Sequence, residues 1–594
     1  MTLPDARETI QDGGLNITEP ASMMALVIGK ASAGELNTFT LFSSPAALHT
    51  AHGEGPGVLL GDCILADGGS PIAFIRCATS EVQSVGAVVG TFTESGTASA
   101  VSHSGTGPTP TVNAASANGD HSFVIDITTG GTLGTMAFTV AVDGGAAGAI
   151  QTSAAAPNNT YTVPNTGVII TFPAGTYDGA DTNTFTVTGG GGSVTAAAPG
   201  GAGTITMDAR IRVEILSDGG LGEATFRYNL DGYDGDTEDE RTYSEELFVP
   251  AGGTFAIPNL GVTLTFADED FFEGDLYVCD VECAAPNATD LGDALDAAIE
   301  TEIPWRFVVV ATSNQVGSST SHALLATALQ ASLESAAGES VYRAGMISTG
   351  GDTAAEALAA FDDVTGARIL TAYGKCRRAT VKPFAGMAFP ITPVVDVFAA
   401  RAAKSLASTD LKRVISGPHT SIVKLFHDER VSPSGLDTIR VSTMRTFRGR
   451  RGEKYITQGW LKSAAGSDFT IWPRRIVMDI MCETVHEQLI LEIGRGFRTV
   501  TAVINAVQYP GVIDPRDRGP LEQRVSQPLI SRLLTPLNAE GVPGHVDDLR
   551  YKVSRTHNFL STSTIVGQVS AESLGYVNDA DTQLGFVVSL PEEA

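Results

Sequence analysis

The sequence predicts a multidomain α+β protein: an α/β core interrupted by two tandem all-β, sandwich-like modules and flanked by extended terminal arms. Three observations carry this. Short apolar runs alternate with helical periodicity from about residue 286 onward, the pattern of an α/β layer. A Gly-, Ala- and Thr-rich stretch from Ser84 to Ala285 contains an internal repeat of short alternating strands. Finally, both ends of the chain read as polar or strand-like arms. With 594 residues and 43% hydrophobic composition the chain is long enough for several packed domains and needs no disulfide staples.

In chain order, residues 1–20 form an N-terminal arm, with a turn signal at Asp12-Gly13-Gly14 and Pro20 at its end. Ala25–Gly29 and Phe39–Phe42 read as strands, and Val58–Ala66 and Pro71–Cys77 as further core elements. Residues 21–83 and 286–411 are expected to form one discontinuous α/β domain. Between them lie module 1 (84–202) and module 2 (203–285). HSFVIDITTGGTLGTMAFTVAVDGG, from His121, aligns with ARIRVEILSDGGLGEATFRYNLDGYDG, from Ala209. YTVPNTGVIITF, from Tyr161, aligns with FAIPNLGVTLTF, from Phe255. Gly189–Gly203 reads as a flexible linker between the units. Such modules are expected to be dispensable for assembly, so that a chain lacking 84–285 would still assemble.

From Ala285 the period becomes helical. Asn287 or Asp290 caps a helix with Leu291, Leu295 and Ile299 on one stripe. Trp305–Ala311, Ala344–Ser348 and Arg368–Thr371 read as strands. Helices are expected at Leu324–Leu333, Thr353–Phe361 and Pro393–Leu406. Residues 412–575 form a C-terminal domain and 576–594 a final strand or arm. Within that domain, Thr438–Met444 reads as a strand, Arg445–Arg451 as a basic turn and Tyr455–Leu461 as a second run. A helix then covers Ile476 to about Ile493. Tyr509-Pro510-Gly511 reads as a turn, Leu521–Leu534 as a helix tolerating Pro528, and Ser561–Ser570 and Gln583–Leu590 as closing strands.

Charge is unevenly placed. Residues 84–285 carry four Arg, no Lys and 25 Asp plus Glu, a net −21 of the chain's −29. Residues 412–594 carry 22 Lys plus Arg against 20 Asp plus Glu, a net +2. An acidic surface of that size repels nucleic acid and anionic membrane. The cations Arg445, Arg448, Arg450, Arg451 and Lys454 lack the interleaved aromatics of a nucleic-acid site. They suit an acidic protein partner or a solvated turn. No apolar run approaches the roughly 20 residues of a membrane span, and the N-terminus lacks the pattern of a secretory signal.

No catalytic, cofactor or metal site emerges. His486-Glu487 lies in a helix, but Ile490 stands where a second zinc ligand would be. Cys279 and Cys283, on one strand, would lie about 13 Å apart, too far to bridge; the six cysteines read as buried thiols. Glu273 and Asp275, with Asp268–Asp270, could bind calcium weakly but read first as a solvated acidic loop. Ser348-Thr349-Gly350-Gly351, between a strand and a helix, could suit a phosphate, but without a Lys or a metal-binding Asp in pattern it reads as an ordinary glycine turn with Asp352 capping the next helix. No enzyme is expected.

Several pieces, in order, resemble the contractile tail sheath proteins of bacteriophages, close to the Mu-like type. They are Ile10–Leu15 (IQDGGL), Val27–Gly34 (VIGKASAG), Gly69–Cys77 (GSPIAFIRC), Arg440–Phe447, Trp472–Arg475 with its helix, and the ending from Asn558. Together they span roughly residues 1–83 and 286–594. The resemblance implies a structural subunit that polymerises as stacked hexameric rings around a tail tube. Contraction would drive that tube through the host envelope for genome ejection. It implies partners in the tube, baseplate and tail terminator proteins and in further copies of the chain. It implies no cofactor, no nucleic-acid partner and no membrane insertion, and a place in the virion tail after assembly in the host cytoplasm. Arms that add strands to neighbouring subunits would use Ile10, Gln11, Asp12 and Leu15 and, at the other end, Leu584, Phe586 and Val588. Inner-sheet, tube or subunit contacts would fall to Arg440, Arg445, Arg448, Arg450, Arg451, Lys454, Arg474 and Arg475. The alternative is a surface adhesion or carbohydrate-binding protein acting through the β modules.

Overall fold

The computed structural model describes residues 23–69, 71–80, 83–92, 96–117, 119–154, 159–164, 166–198, 205–230, 243–301, 303–312, 319–351, 353–378, 391–464, 466–539 and 541–576. The candidate arm residues Ile10, Gln11, Asp12, Leu15, Leu584, Phe586 and Val588 lie outside them, as does the expected strand Gln583–Leu590.

A six-stranded sheet organises the core, in the order Phe39–Phe42, Ile72–Arg76, Ala25–Gly29, Phe307–Val310, Ala344–Ser348, Ile369–Ala372. All neighbours are parallel except the antiparallel edge strand Phe39–Phe42. Parallel strands are buried on both faces, which explains their unbroken apolar runs. Along Ala25–Gly29, Ala25 and Val27 enter one hydrophobic cluster while Leu26 and Ile28 enter another. Helices Ala288–Ile299, Ser319–Gly338 and Ala354–Phe361 cover the second face. The first of these starts in a full capping box between Asn287 and Asp290. Helices Pro56–Ala66, Val395–Ala403 and Trp472–Ile490 cover the other face. The C-terminal part therefore shares one continuous core with the α/β layer, reaching to Leu549 and Tyr551.

The insertion folds as two β units with separate cores. In one, His121–Thr129 pairs with Ala137–Val142 and Thr182–Thr188, and a second sheet holds Thr111–Asn113, Ile169–Thr171 and Thr160–Thr162. In the other, Ala209–Ser217 pairs with Thr225–Asn229 and Leu276–Glu282, and the second sheet holds Val194–Ala197, Val262–Phe266 and Thr254–Ile257. The two long strands, both nine residues, correspond in the sequence repeat.

The pairing nests one unit within the other. Ser84–Val85 and Val89–Thr91 pair with Leu276–Glu282, and Val194–Ala197 pairs with Val262–Phe266. Residues 96–190 thus sit inside the second unit. Part of the expected linker Gly189–Gly203 is a strand of that unit's sheet. The second unit is also built onto the core: Leu59 and Cys63 of the Pro56–Ala66 helix belong to its hydrophobic cluster. Lys30 Nζ donates to the Ile205 carbonyl at 2.5 Å.

Other boundaries differ for local reasons. Thr438–Met444 is not a strand: Leu436–Ile439 forms a 3-10 turn, closed by Arg440 at φ 57°. Tyr509-Pro510-Gly511 lies within the strand Val507–Ile513, and the turn falls at Asn505-Ala506, with φ 50° and 64°, the geometry of a tight hairpin. The ladder skips between Val500 and Ala502, opposite Tyr509 to Val512, so Pro510 sits at a bulge where no ladder donor is required. Leu324 faces solvent at 66% exposure, off the expected stripe. The Pro515–Leu529 helix holds both Pro520 and Pro528 and passes into a π turn at Ile530–Leu534. The closing strand is Gly567–Ser573, preceded by a helical turn at Phe559–Thr562.

His49 ties the Pro45–His52 helix to its neighbours. Its ring bonds to Asp62, and Nδ1 lies 3.3 Å from Glu54. The Asp62 bond, then the Glu54 bond, lift its pKa to about 10; the Asp62 carboxyl is itself pushed up by burial. A raised histidine contributes stability that is complete below its unfolded pKa of about 6.5 and is lost as pH climbs through the folded value. Melting temperature should therefore fall between about pH 6.5 and 10, with a slope of at most about 1.4 kcal/mol per pH unit. Melts of wild type and His49→Gln across that range check this. Equal pH profiles would refute it.

Candidate assembly surface

The hairpin Met444–Phe447 with Arg450–Ile456 turns at Arg448-Gly449, and its ladder slips between Thr446 and Phe447. Met444, Tyr455 and Ile456 anchor its base in the core. The cations divide by where their guanidinium groups go. Arg445 lies over the Phe447 ring, 4.6 Å from its centre. It lines a cleft of about 660 Å³ with Asp410, Lys412, Arg413, Asp547 and Tyr576. Arg448 is exposed and borders a second cleft with Asp428, Arg430 and Gly452. Arg450 donates to the Tyr455 hydroxyl at 3.2 Å and pairs with Glu453 at 3.4 Å. Arg451 belongs to the second strand. Lys454 is half-buried, and burial lowers its pKa. Arg474 borders two more clefts, each of which also reaches Tyr576.

Two expected contact residues turn inward instead. Arg440 donates to the Ser463 hydroxyl and the Ala464 carbonyl, both at 2.8 Å, and to the Ser463 carbonyl, stapling the loop after the hairpin. Arg475 is buried, bonds Asp479 at 2.5 Å, and lies over the Phe469 ring. Tyr576, whose hydroxyl donates to the Ser408 carbonyl at 2.9 Å, is the last described residue. Tyr576 lines three of these clefts.

The residue signals do not reveal an ion-pair clamp behind this surface. Arg306, Arg343 and Arg368 each stand directly before one of three adjacent parallel strands, so all three reach the same edge of the sheet. Arg306 meets Glu483 at 2.9 Å, Arg343 meets the same carboxylate, and Arg368 meets Asp479 at 3.0 Å. Asp479 and Glu483 are one turn apart on the Trp472–Ile490 helix, and Asp479 is wholly buried. A repeated signal was present: one Arg before each apolar run. The clamp fixes the helix, and with it the hairpin, to the α/β sheet.

Asp275 is a buried turn residue accepting from the Phe272 amide, and among the described residues no group of His, Cys, Asp and Glu is arranged to hold a metal. Thr353, with Glu356, caps the helix after Gly351; Asp352 is outside the described residues. The six cysteines are free, and five are buried. Among the described residues no helix is long and apolar enough to cross a membrane.

No protein-family model and no curated protein matches the chain. Among solved structures it is similar to the sheath tail protein of Desulfitobacterium hafniense, at 8% identity and a TM-score of 0.38, covering 97% of this chain and 100% of that one. It is similar to the sheath tail protein Lin1278 of Listeria innocua, at 8% identity and a TM-score of 0.37, covering 93% and 96%. A third is the helical sheath of the anti-feeding prophage in its contracted state, at 11% identity and a TM-score of 0.35, covering 53% and 79%.

Proposed function

We propose that this chain is the subunit of a contractile tail sheath, with no catalytic site. The observation that carries the reading is that the ordered sheath-like pieces on either side of the insertion enter one body. Val27–Gly29 and Ile72–Arg76 pair within the same sheet as strands from beyond residue 300, and the Trp472–Ile490 helix closes that sheet's face. In this reading copies stack as hexameric rings around a tube in the virion tail, bounded by baseplate and terminator proteins. Stored lattice energy drives the tube through the host envelope for genome ejection. Arg445, Arg448, Arg450, Arg451, Lys454 and Arg474 are the cations left to meet the tube or a neighbouring subunit. Residues Ile10–Leu15 and Leu584–Val588 are the strands exchanged between subunits, each main-chain bond adding about 1 kcal/mol net.

Purified protein should form rings or helical tubes in negative stain. A chain lacking residues 1–18 should stay soluble yet form no long sheaths. Normal polymerisation of the truncated chain would rule out arm exchange. Discrete monomers of the full chain that bind glycans would favour an adhesin acting through the β units.

A further inference from the structure

Of the three clefts that Tyr576 lines, the largest, about 660 Å³, holds the most cations: Lys412, Arg413 and Arg445, against Asp410 and Asp547. The other two hold Arg474 alone and Arg440 with Arg474. The lining of the large cleft lacks partners of both polarities. Arg445 lies over the Phe447 ring, and its Nε is buried with no hydrogen-bond partner. Thr409 Oγ1 and Asp410 Oδ2 are also buried and unpartnered; Lys412 Nζ stands 3.6 Å from that carboxylate oxygen, beyond a hydrogen bond. Buried polar atoms are nearly always paired. The cleft therefore suits an occupant that accepts from a guanidinium and donates to a carboxylate and a hydroxyl. A peptide does both.

The rim adds apolar surface. Ile415 and Leu537, next in the chain to the lining residues Val414 and Asn538, are 79% and 58% exposed. Arg413 draws their two stretches together, donating to the Ser416 hydroxyl at 3.1 Å and the Ala539 carbonyl at 3.0 Å. An occupant that is acidic at one end and apolar further along matches cleft and rim in turn.

The chain supplies such a segment at the cleft itself. Leu574, Gly575 and Tyr576 belong to the lining, and the Tyr576 hydroxyl holds the Ser408 carbonyl at 2.9 Å. Beyond Tyr576 the sequence carries Asp579, Asp581, Glu592 and Glu593 and no Lys or Arg, with Leu584, Phe586 and Val588 alternating between the two acidic pairs. An extended chain carries Asp579 and Asp581 about 10 and 17 Å from Tyr576.

We propose that in the unassembled chain residues 577–590 dock in the cleft of their own subunit. Asp579 and Asp581 meet Arg445 and Arg413, main-chain amides donate to Asp410 and Thr409, and Leu584 and Phe586 cover Ile415 and Leu537. This goes beyond the sheath reading. There the segment passes between subunits; docked in its own cleft, it is withheld until a copy joins.

The test is hydrogen exchange, read by mass spectrometry, on the single-chain fraction of the full protein. Amides of residues 577–590 should exchange at least about tenfold more slowly than in the free peptide of that sequence, and equally slowly on dilution. Arg445→Ala should speed their exchange about tenfold. Asp579→Asn with Asp581→Asn should do the same while leaving every lining side chain in place. Arg448→Ala, outside this cleft, should change nothing. An unprotected segment, or protection that ignores the Arg445 and aspartate changes or responds equally to Arg448→Ala, would overturn the proposal. So would protection that falls on dilution, which marks a second copy's segment, or a response to Arg445→Ala in residues 1–18 instead, which marks the other arm. None of these readouts depends on polymerisation, so a failed sheath test leaves them standing.

Discussion

Asp479→Ala should destabilise the chain by about 3–5 kcal/mol, because it strips two buried guanidinium groups of their shared carboxylate. Arg368 and Arg475 are 9% and 8% exposed at their side chains, and Asp479 is 0%. Both arginines are held in place by further contacts: Arg368 donates to the Arg343 carbonyl at 2.9 Å, and Arg475 lies 4.5 Å from the centre of the Phe469 ring. Removing the whole cluster is a different experiment. Asp479→Leu combined with Arg368→Met and Arg475→Met deletes charge and partner together and should recover much of the loss, since buried ion pairs barely outweigh apolar packing. Urea unfolding of the purified chain reads both. A loss below about 1 kcal/mol for Asp479→Ala, the size of an exposed pair, would show that the clamp does not hold the helix to the sheet.

This clamp also marks where sequence reading stops. Strands such as Ala25–Gly29 and Ala344–Ser348 are legible because burial on both faces demands an unbroken apolar run. The repeat is legible because His121–Thr129 and Ala209–Ser217 keep the same alternation. What stays hidden is pairing over long separations. Nothing local tells Ser84–Val85 that its partner is Leu276–Glu282, or Arg306 that its carboxylate is Glu483. The basic stretch shows the same limit. Arg448 and Arg440 look alike in sequence, yet a left-handed residue at 440 turns one guanidinium onto Ser463 while the hairpin tip leaves the other in solvent. Pro510 reads as a turn in sequence because a proline in a strand needs a bulge, and a bulge is a property of two strands together.

Two deletions separate the inserted units by their attachment. Removing residues 84–285 should leave a chain that aggregates or fails to fold. It uncovers Leu59 and Cys63, which are buried in the second unit's cluster, and takes from Lys30 the carbonyl that holds its buried ammonium. A bared apolar helix face is costly. The expectation that the whole insertion is dispensable is revised on this ground. Removing only residues 96–190 should be tolerated. That unit keeps its own cluster, with no member outside residues 101–187. Phe92 and Gly191 at its two ends are in contact, so a short glycine linker closes the gap. The shortened chain should melt cooperatively with the remaining core intact and, if the chain is a sheath subunit, still polymerise. If the 84–285 deletion folds as well as the 96–190 deletion, the second unit is an ornament; if both fail, the nested unit also supports the core.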